Sequence, residues 1–118
     1  MNRNDIQYYK DFDYAIELKN SNRLDESLVQ FKELIYDKPN DYHNYLMIAD
    51  IYWDKGMLDE AIIYANKALD LKPYSETVSL VVFHLYWDIG DHHCALEEMR
   101  RYTSYKYSEI YEEILNEL

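Results

Sequence analysis

Glycine and proline, the usual breakers of regular structure, occur only twice each in 118 residues, so long helices joined by short turns are expected. Cysteine occurs once, as Cys94. A single thiol excludes an intramolecular disulfide, a redox pair and a thiolate metal cluster, and it suits a reducing compartment. Positive charge is also short, with 12 Lys and Arg against 23 Asp and Glu and a net charge of -11. Nucleic acid and anionic membrane surfaces both require a basic footprint, so neither is expected as a partner; basic or amphipathic protein segments fit better. No stretch approaches the roughly 18 apolar residues of a membrane span, and the N-terminal MNRNDIQYYKDF lacks the apolar centre of a signal peptide. A soluble, cytoplasmic protein is the expectation. Glycine-rich phosphate loops are missing too, and Gly56 and Gly90 read as turn residues. Cys94 adjoins Ala95 on a face expected to be buried, and no catalytic set, cofactor or metal is expected.

What the chain has in excess is tyrosine, at 14 residues, and internal repetition. Pro39 and Pro73, Gly56 and Gly90, Ala61 and Ala95, and the triplets Tyr52-Trp53-Asp54 and Tyr86-Trp87-Asp88 are each 34 residues apart. A period of that length marks a helical-hairpin solenoid. Within residues 42–73, Tyr45, Ile48, Ala49, Tyr52, Ala61, Ala65 and Pro73 stand at the marked positions of W-x2-L-G-x2-Y, A-x3-F and P, and the stretch resembles a tetratricopeptide repeat. Imperfect copies flank it. The preceding copy carries Asp11, Tyr14, Ala15, Leu18, Ser27, Phe31 and Pro39; the following one carries Ser79, Val82, Phe83, Tyr86, Ala95, Met99 and Tyr107. The resemblance implies an all-α, right-handed solenoid of three helix-turn-helix hairpins in one domain over residues 1–118, with repeats at about 8–41, 42–75 and 76–107.

Apolar spacing predicts helices at about 5–18, 24–36, 41–55, 58–71, 75–89 and 92–105. Asn22 stands one period before Gly56 and two before Gly90, at the left-handed position that closes a helix. Ser75 and Ser108 read as N-caps, and Asp25-Glu26 with Lys38, and Asp59-Glu60 with Lys67 and Lys72, suit the two ends of a helix dipole. Ala65, where the pattern has Phe, leaves volume for neighbouring tyrosines. Phe83 stands where the pattern has Gly, and Ser79 where it has Trp, so the two positions are expected to exchange volume and bury Phe83. A seventh helix at about 108–118 is expected to cap the stack through Ile110, Ile114, Leu115 and Leu118, with Glu109, Glu112, Glu113 and Glu117 turned outward. The alternative is a truncated repeat whose partner helix comes from another chain.

The predicted helices at 41–55 and 75–89 each carry a second apolar face. The resemblance implies that the first helix of every hairpin lines a concave groove. By the repeat period this groove takes Tyr9, Phe12, Asp13 and Ile16 from the first copy, and His43, Leu46, Met47, Asp50, Trp53 and Asp54 from the second. The third copy supplies Thr77, Leu80, Val81, His84, Trp87 and Asp88. Some tetratricopeptide proteins clamp the acidic tails of heat-shock chaperones with Lys, Arg and Asn. The matching positions here are Phe12, Ile16, Met47, Thr77 and Val81, which disfavours that partner. Trp53 and Trp87 read either as groove anchors or as packing between adjacent helices, and Asp50, Asp54 and Asp88 as sites for a ligand's Lys or Arg. His43, Asp50 and His84 form a conceivable zinc or iron set, but too few ligands are at hand; His92, His93 and Cys94 fan about 100° apart around a helix and cannot readily hold one ion.

The expected function is that of a protein-interaction module, an adaptor or scaffold that binds a helical or extended, apolar or basic segment without catalysis. Two alternatives stand beside it. One is a homodimer formed through Tyr102, Tyr105, Tyr107, Tyr111 and the C-terminal surface; the other, by fold analogy, is a chaperone for secretion substrates.

Overall fold

The computed structural model describes residues 3–118, which form seven α-helices and no strand among the described residues. They are α1 (Asp5–Asn20), α2 (Leu24–Asp37), α3 (Tyr42–Asp54), α4 (Leu58–Leu71), α5 (Glu76–Asp88), α6 (His92–Thr103) and α7 (Glu109–Glu117). Five of the seven start on a side-chain cap that satisfies an otherwise orphaned backbone N–H: Asn4, Asp41, Ser75, Asp91 and Ser108 accept from Gln7, His43, Val78, Cys94 and Tyr111 respectively. The other two, α2 and α4, lack a side-chain cap but open on Asp25-Glu26 and Asp59-Glu60, where negative charge opposes the helix dipole.

Each hairpin closes by one device. Asn22, Gly56 and Gly90 have φ of 61°, 74° and 88°, and the residue after each sends its N–H back five residues. These bonds run from Arg23 to Leu18 O at 2.8 Å, from Met57 to Tyr52 O at 2.8 Å, and from Asp91 to Tyr86 O at 2.9 Å. They satisfy carbonyls that a helix end would leave bare. A Cβ at Gly56 or Gly90 would meet nothing within 4 Å, so the need for glycine is one of backbone conformation alone. Gly56→Ala is therefore expected to cost about 1–2 kcal/mol, and Gly56→Asn clearly less, as Asn22 already shows by occupying this position. Urea unfolding of the two variants checks this.

The hairpins α1/α2, α3/α4 and α5/α6 stack in order, α2 against α3 and α4 against α5, into a body of 46 × 28 × 19 Å. Close approach is possible because the contact positions are small: Ala15, Ala49, Ala61, Ala65, Ala68 and Ala95 are all fully buried. Beside Ala65, Tyr64 lies 6.5 Å from the ring of Tyr45 and 5.7 Å from that of Tyr52. Polar ties also recur at the repeat period. The Lys32 ammonium donates to the Tyr52 hydroxyl at 3.0 Å, and 34 residues on Asn66 Nδ2 donates to Tyr86 at 3.2 Å, each joining a hairpin to the next. Within hairpins, Lys38 lies 4.6 Å over the ring of Tyr8 and Lys72 lies 5.6 Å over that of Tyr42, again one period apart. These lysines stand at the C-cap, beyond the last turn, and Lys38 also pairs with Asp5 at 3.0 Å. They tie the ends of a hairpin together besides answering a dipole.

Apolar residues fall into two clusters. The larger spans the first two hairpins and takes Val82 and Leu85 from α5; the smaller joins Phe83, Ala95, Met99, Tyr102 and Tyr111. Phe83 is buried as expected, stacked on Trp87 at 5.7 Å and edge-on to Tyr111 at 5.6 Å. The space beside Ser79 is used differently from the expected exchange. The Ser79 hydroxyl donates to Glu98 at 2.6 Å and meets the Tyr111 hydroxyl at 2.7 Å, and Arg101 pairs with Glu98 at 2.7 Å. A buried carboxylate is tolerated there because both of its oxygens are bonded.

This chain of bonds sets the phase of α7, and the phase differs from the one expected. With Ser108 as N-cap, Tyr111 points into the stack and Ile114 is half-buried, whereas Ile110, Leu115 and Leu118 stay 44%, 57% and 57% exposed. The best apolar stripe of the isolated helix is thus mostly solvent-facing, because a tyrosine that reaches Ser79 outweighs it. Ile89, within the predicted helix at about 75–89, is the C-cap residue outside α5 and is exposed. Tyr107, at the position of the closing proline, is exposed as well.

Candidate binding surface

The first helices of the hairpins, α1, α3 and α5, lie side by side, as three cross-repeat contacts show. Phe12 on α1 meets the ring of His43 on α3 edge-on at 6.5 Å. Lys19, at the end of α1, pairs with Asp50 at 2.6 Å. The Trp53 indole N–H donates to Asp88 on α5 at 2.9 Å. Lys19 and Trp53 are 34 residues apart, so one repeat position reaches an acid on the next helix in both cases, by charge first and by an indole second.

Along this row Phe12, Ile16, Met47, Trp53 and Val81 are half-buried against the larger cluster, and Leu80 and Trp87 against the smaller. Leu46 is half-buried too, while Tyr9, Asp13, His43, Asp54, Thr77, His84 and Asp88 are exposed. The tryptophans combine packing with partial exposure. Each indole is partly covered by its own chain, Trp53 through Asp88 and Trp87 between Phe83 and His92, whose ring stacks at 3.9 Å, and each keeps part of its surface open.

The acids separate into two groups. Asp50 and Asp88, expected to meet a ligand's cations, are engaged by Lys19 and Trp53. Asp13 and Asp54 are exposed, and no Lys, Arg or His among the described residues pairs with either. His43 is held by Asp41, which accepts from both its backbone and its ring at 3.1 and 2.9 Å. With Asp50 turned to Lys19, the set His43, Asp50 and His84 does not come together, and no group of three His, Cys, Asp or Glu among the described residues is placed to hold a metal ion.

Beneath the N-terminal end of the row lies a network that the repeat pattern does not signal. Tyr8, fully buried, donates to Asp41 at 2.8 Å and accepts from Asn44 at 2.6 Å. Burial raises the Tyr8 hydroxyl well above its ordinary value. Burial also opposes ionisation of Asp41, but the bonds from Tyr8 and His43 outweigh it and hold this carboxyl below its ordinary value. The network fixes the start of α3, and with it His43, against α1. Its parts come from positions 8, 41 and 44, which no single motif joins; the available signal was the Asn inside an otherwise apolar face of α3.

The tetratricopeptide-repeat family model matches residues 42–75, the hairpin of α3 and α4 together with its closing turn. The chain has the fold of a tetratricopeptide-repeat solenoid. Its structure is similar to the N-terminal domain of stress-induced protein-1 (STI-1) from C. elegans, with a TM-score of 0.83 at 13% identity over 98% of each chain. The Yersinia enterocolitica type III secretion translocator chaperone SycD superposes with a TM-score of 0.79 at 12% identity, covering 94% of this chain and 84% of SycD. A MamA mutant superposes with a TM-score of 0.73 at 17% identity, covering 86% of this chain and 74% of that one; against another MamA structure this chain spans 53% of the length. No curated protein matches the sequence. At these identities the shared property is the tetratricopeptide fold. No helix among the described residues is long and apolar enough to cross a membrane.

Proposed function

We propose that this tetratricopeptide solenoid is a non-catalytic protein-interaction module whose α1–α3–α5 face binds a helical or extended segment carrying apolar and basic side chains. One observation carries the reading: a continuous row of half-open apolar side chains, Phe12, Met47, Trp53, Leu80 and Trp87, runs across three adjacent helices beside the unpaired acids Asp13 and Asp54. Aromatic anchors with open edges supply apolar contact area at low entropic cost, and carboxylates without an internal partner favour Lys or Arg in the ligand. Lys19, the cation beside this row, is already paired with Asp50, which disfavours an acidic tail. SycD, which shares the fold, is a chaperone, which fits a binding role for this architecture.

The test is titration of the protein with a peptide that alternates leucine and lysine, followed by tryptophan fluorescence and calorimetry. Trp53→Ala is expected to weaken binding by about 2 kcal/mol or more, with circular dichroism verifying that the helices persist. Asp54→Asn should weaken it less and remove part of its salt dependence. Unchanged affinity in Trp53→Ala and Trp87→Ala alike would sink the assignment of this face.

A further inference from the structure

A second surface lies between α6 and α7. The two helices leave an open groove of about 590 Å³, lined by Leu96, Met99 and Arg100 of α6, by Glu112 and Leu115 of α7, and by Tyr107 between them. It shares no lining residue with the α1–α3–α5 face and does not depend on the reading of that face.

Comparison within the chain indicates what such a groove is shaped to receive. Counted from their N-caps Asp41, Ser75 and Ser108, helices α3, α5 and α7 bury the residue at the third position, which is Asn44, Val78 and Tyr111. At the seventh position Ile48 and Val82 are 0% and 2% exposed, but Leu115 is 57% exposed. At the tenth, Ile51 and Leu85 are fully buried, but Leu118 is 57% exposed. The seventh helix therefore begins as the first helix of a hairpin does, but among the described residues its leucines at the seventh and tenth positions are uncovered. Where α3 and α5 are covered by α4 and α6, α7 presents leucine to solvent.

We propose that this groove docks an amphipathic helix of another protein, with Lys or Arg along its polar edge, packed on α7 as α4 packs on α3 and α6 on α5. Apolar lining and bare leucines call for an apolar stripe. Charge decides the edge. The seventh helix carries Glu109, Glu112, Glu113 and Glu117 and no Lys or Arg, whereas the groove itself holds one cation, Arg100, which has no ion-pair partner among the described residues. Of the four glutamates, Glu112 lines the groove, and a second copy would bring a further acidic α7 to a protein of net charge -11; a basic helix meets complementary charge instead.

The experiment uses a short synthetic helix with a leucine stripe flanked by lysines, spin-labelled at one end, added to isotopically labelled protein. Amides of α6 and α7 should broaden, affinity at this site should fall about tenfold or more in Leu115→Glu, and Trp53→Ala should leave it unchanged. Because Leu115 is exposed, Leu115→Glu is expected to fold normally. Equal affinity in Leu115→Glu, or equal binding of a peptide with glutamate in place of lysine, would overturn the proposal. So would sedimentation that reveals a wild-type dimer split by Leu115→Glu, which would put a second copy in the groove. Broadening confined to α1, α3 and α5, with the amides of α6 and α7 unchanged, would also overturn the proposal; broadening confined to α6 and α7 would count against the earlier reading alone.

Discussion

Phe83→Ala should destabilise the protein by about 3–5 kcal/mol, because a buried aromatic side chain would leave a cavity that its neighbours cannot fill. Those neighbours are anchored from three helices: Trp87 on α5 itself, Met99 and Tyr102 on α6, and Tyr111 on α7. In the smaller cluster Phe83 meets Tyr111 of α7 edge-on, beside the hydroxyl bond from Ser79 and the ring of Tyr102. A solenoid is stabilised mainly between nearest neighbours, so the loss should fall on the last hairpin and on α7, leaving the cluster of the first two hairpins nearly intact. Urea unfolding followed by far-ultraviolet circular dichroism should therefore become less cooperative, with an early phase. In a double-mutant cycle with Tyr111→Ala the two losses should fail to add, by about 0.5–1.5 kcal/mol for the edge-to-face ring pair. A single sharp transition at the wild-type midpoint would show that Phe83 does not hold this end together.

Tyr8 should be the second sensitive point, at the opposite end. Tyr8→Phe keeps the ring but removes the hydroxyl that donates to Asp41 and accepts from Asn44. Asn44 is fully buried and its side-chain carbonyl already lacks a partner, so losing the Tyr8 bond would strand its amide group as well. An expected cost of about 1–3 kcal/mol follows from desolvation without compensation, and Tyr8→Ala should cost about 3–5 kcal/mol through the added cavity. The effect should depend on pH in a definite direction. The Asp41 carboxyl is held below its ordinary value, so its contribution is fully present above the unfolded value of about 3.9 and is lost as pH falls through the folded value. The stability difference between wild type and Tyr8→Phe should accordingly narrow in acid. A difference that stays constant from neutral pH to pH of about 3 would separate Tyr8 from the ionisation of Asp41.

Both predictions rest on residues that the repeat pattern names poorly. Phe83 is visible in the sequence as a large residue where the family pattern has glycine, and its burial is predictable from that alone. What fills the space beside Ser79 is not, because Glu98 and Tyr111 lie 19 and 32 residues away and approach only once α5, α6 and α7 are packed. Tyr8 is worse placed still, since its partners lie in the next hairpin. The candidate surface divides in the same way. The period matches Phe12 with Leu46 and Leu80, Met47 with Val81, and Trp53 with Trp87 along one row, but the engagement of Asp50 by Lys19 and of Asp88 by Trp53 depends on how far each side chain reaches across a helix interface.

By itself the sequence determined the number of hairpins, the boundaries of their helices to within two residues and the three left-handed closures at Asn22, Gly56 and Gly90, because these depend on local backbone preference and on apolar spacing along one helix. Tertiary structure alone decided which face of α7 turns inward. The apolar stripe of an isolated helix favours Ile110, Leu115 and Leu118, whereas the packed stack offers Tyr111 a buried hydroxyl partner and a ring to meet, and that combination is stronger. The leucines left outside by that choice are the ones that shape the groove beside α6.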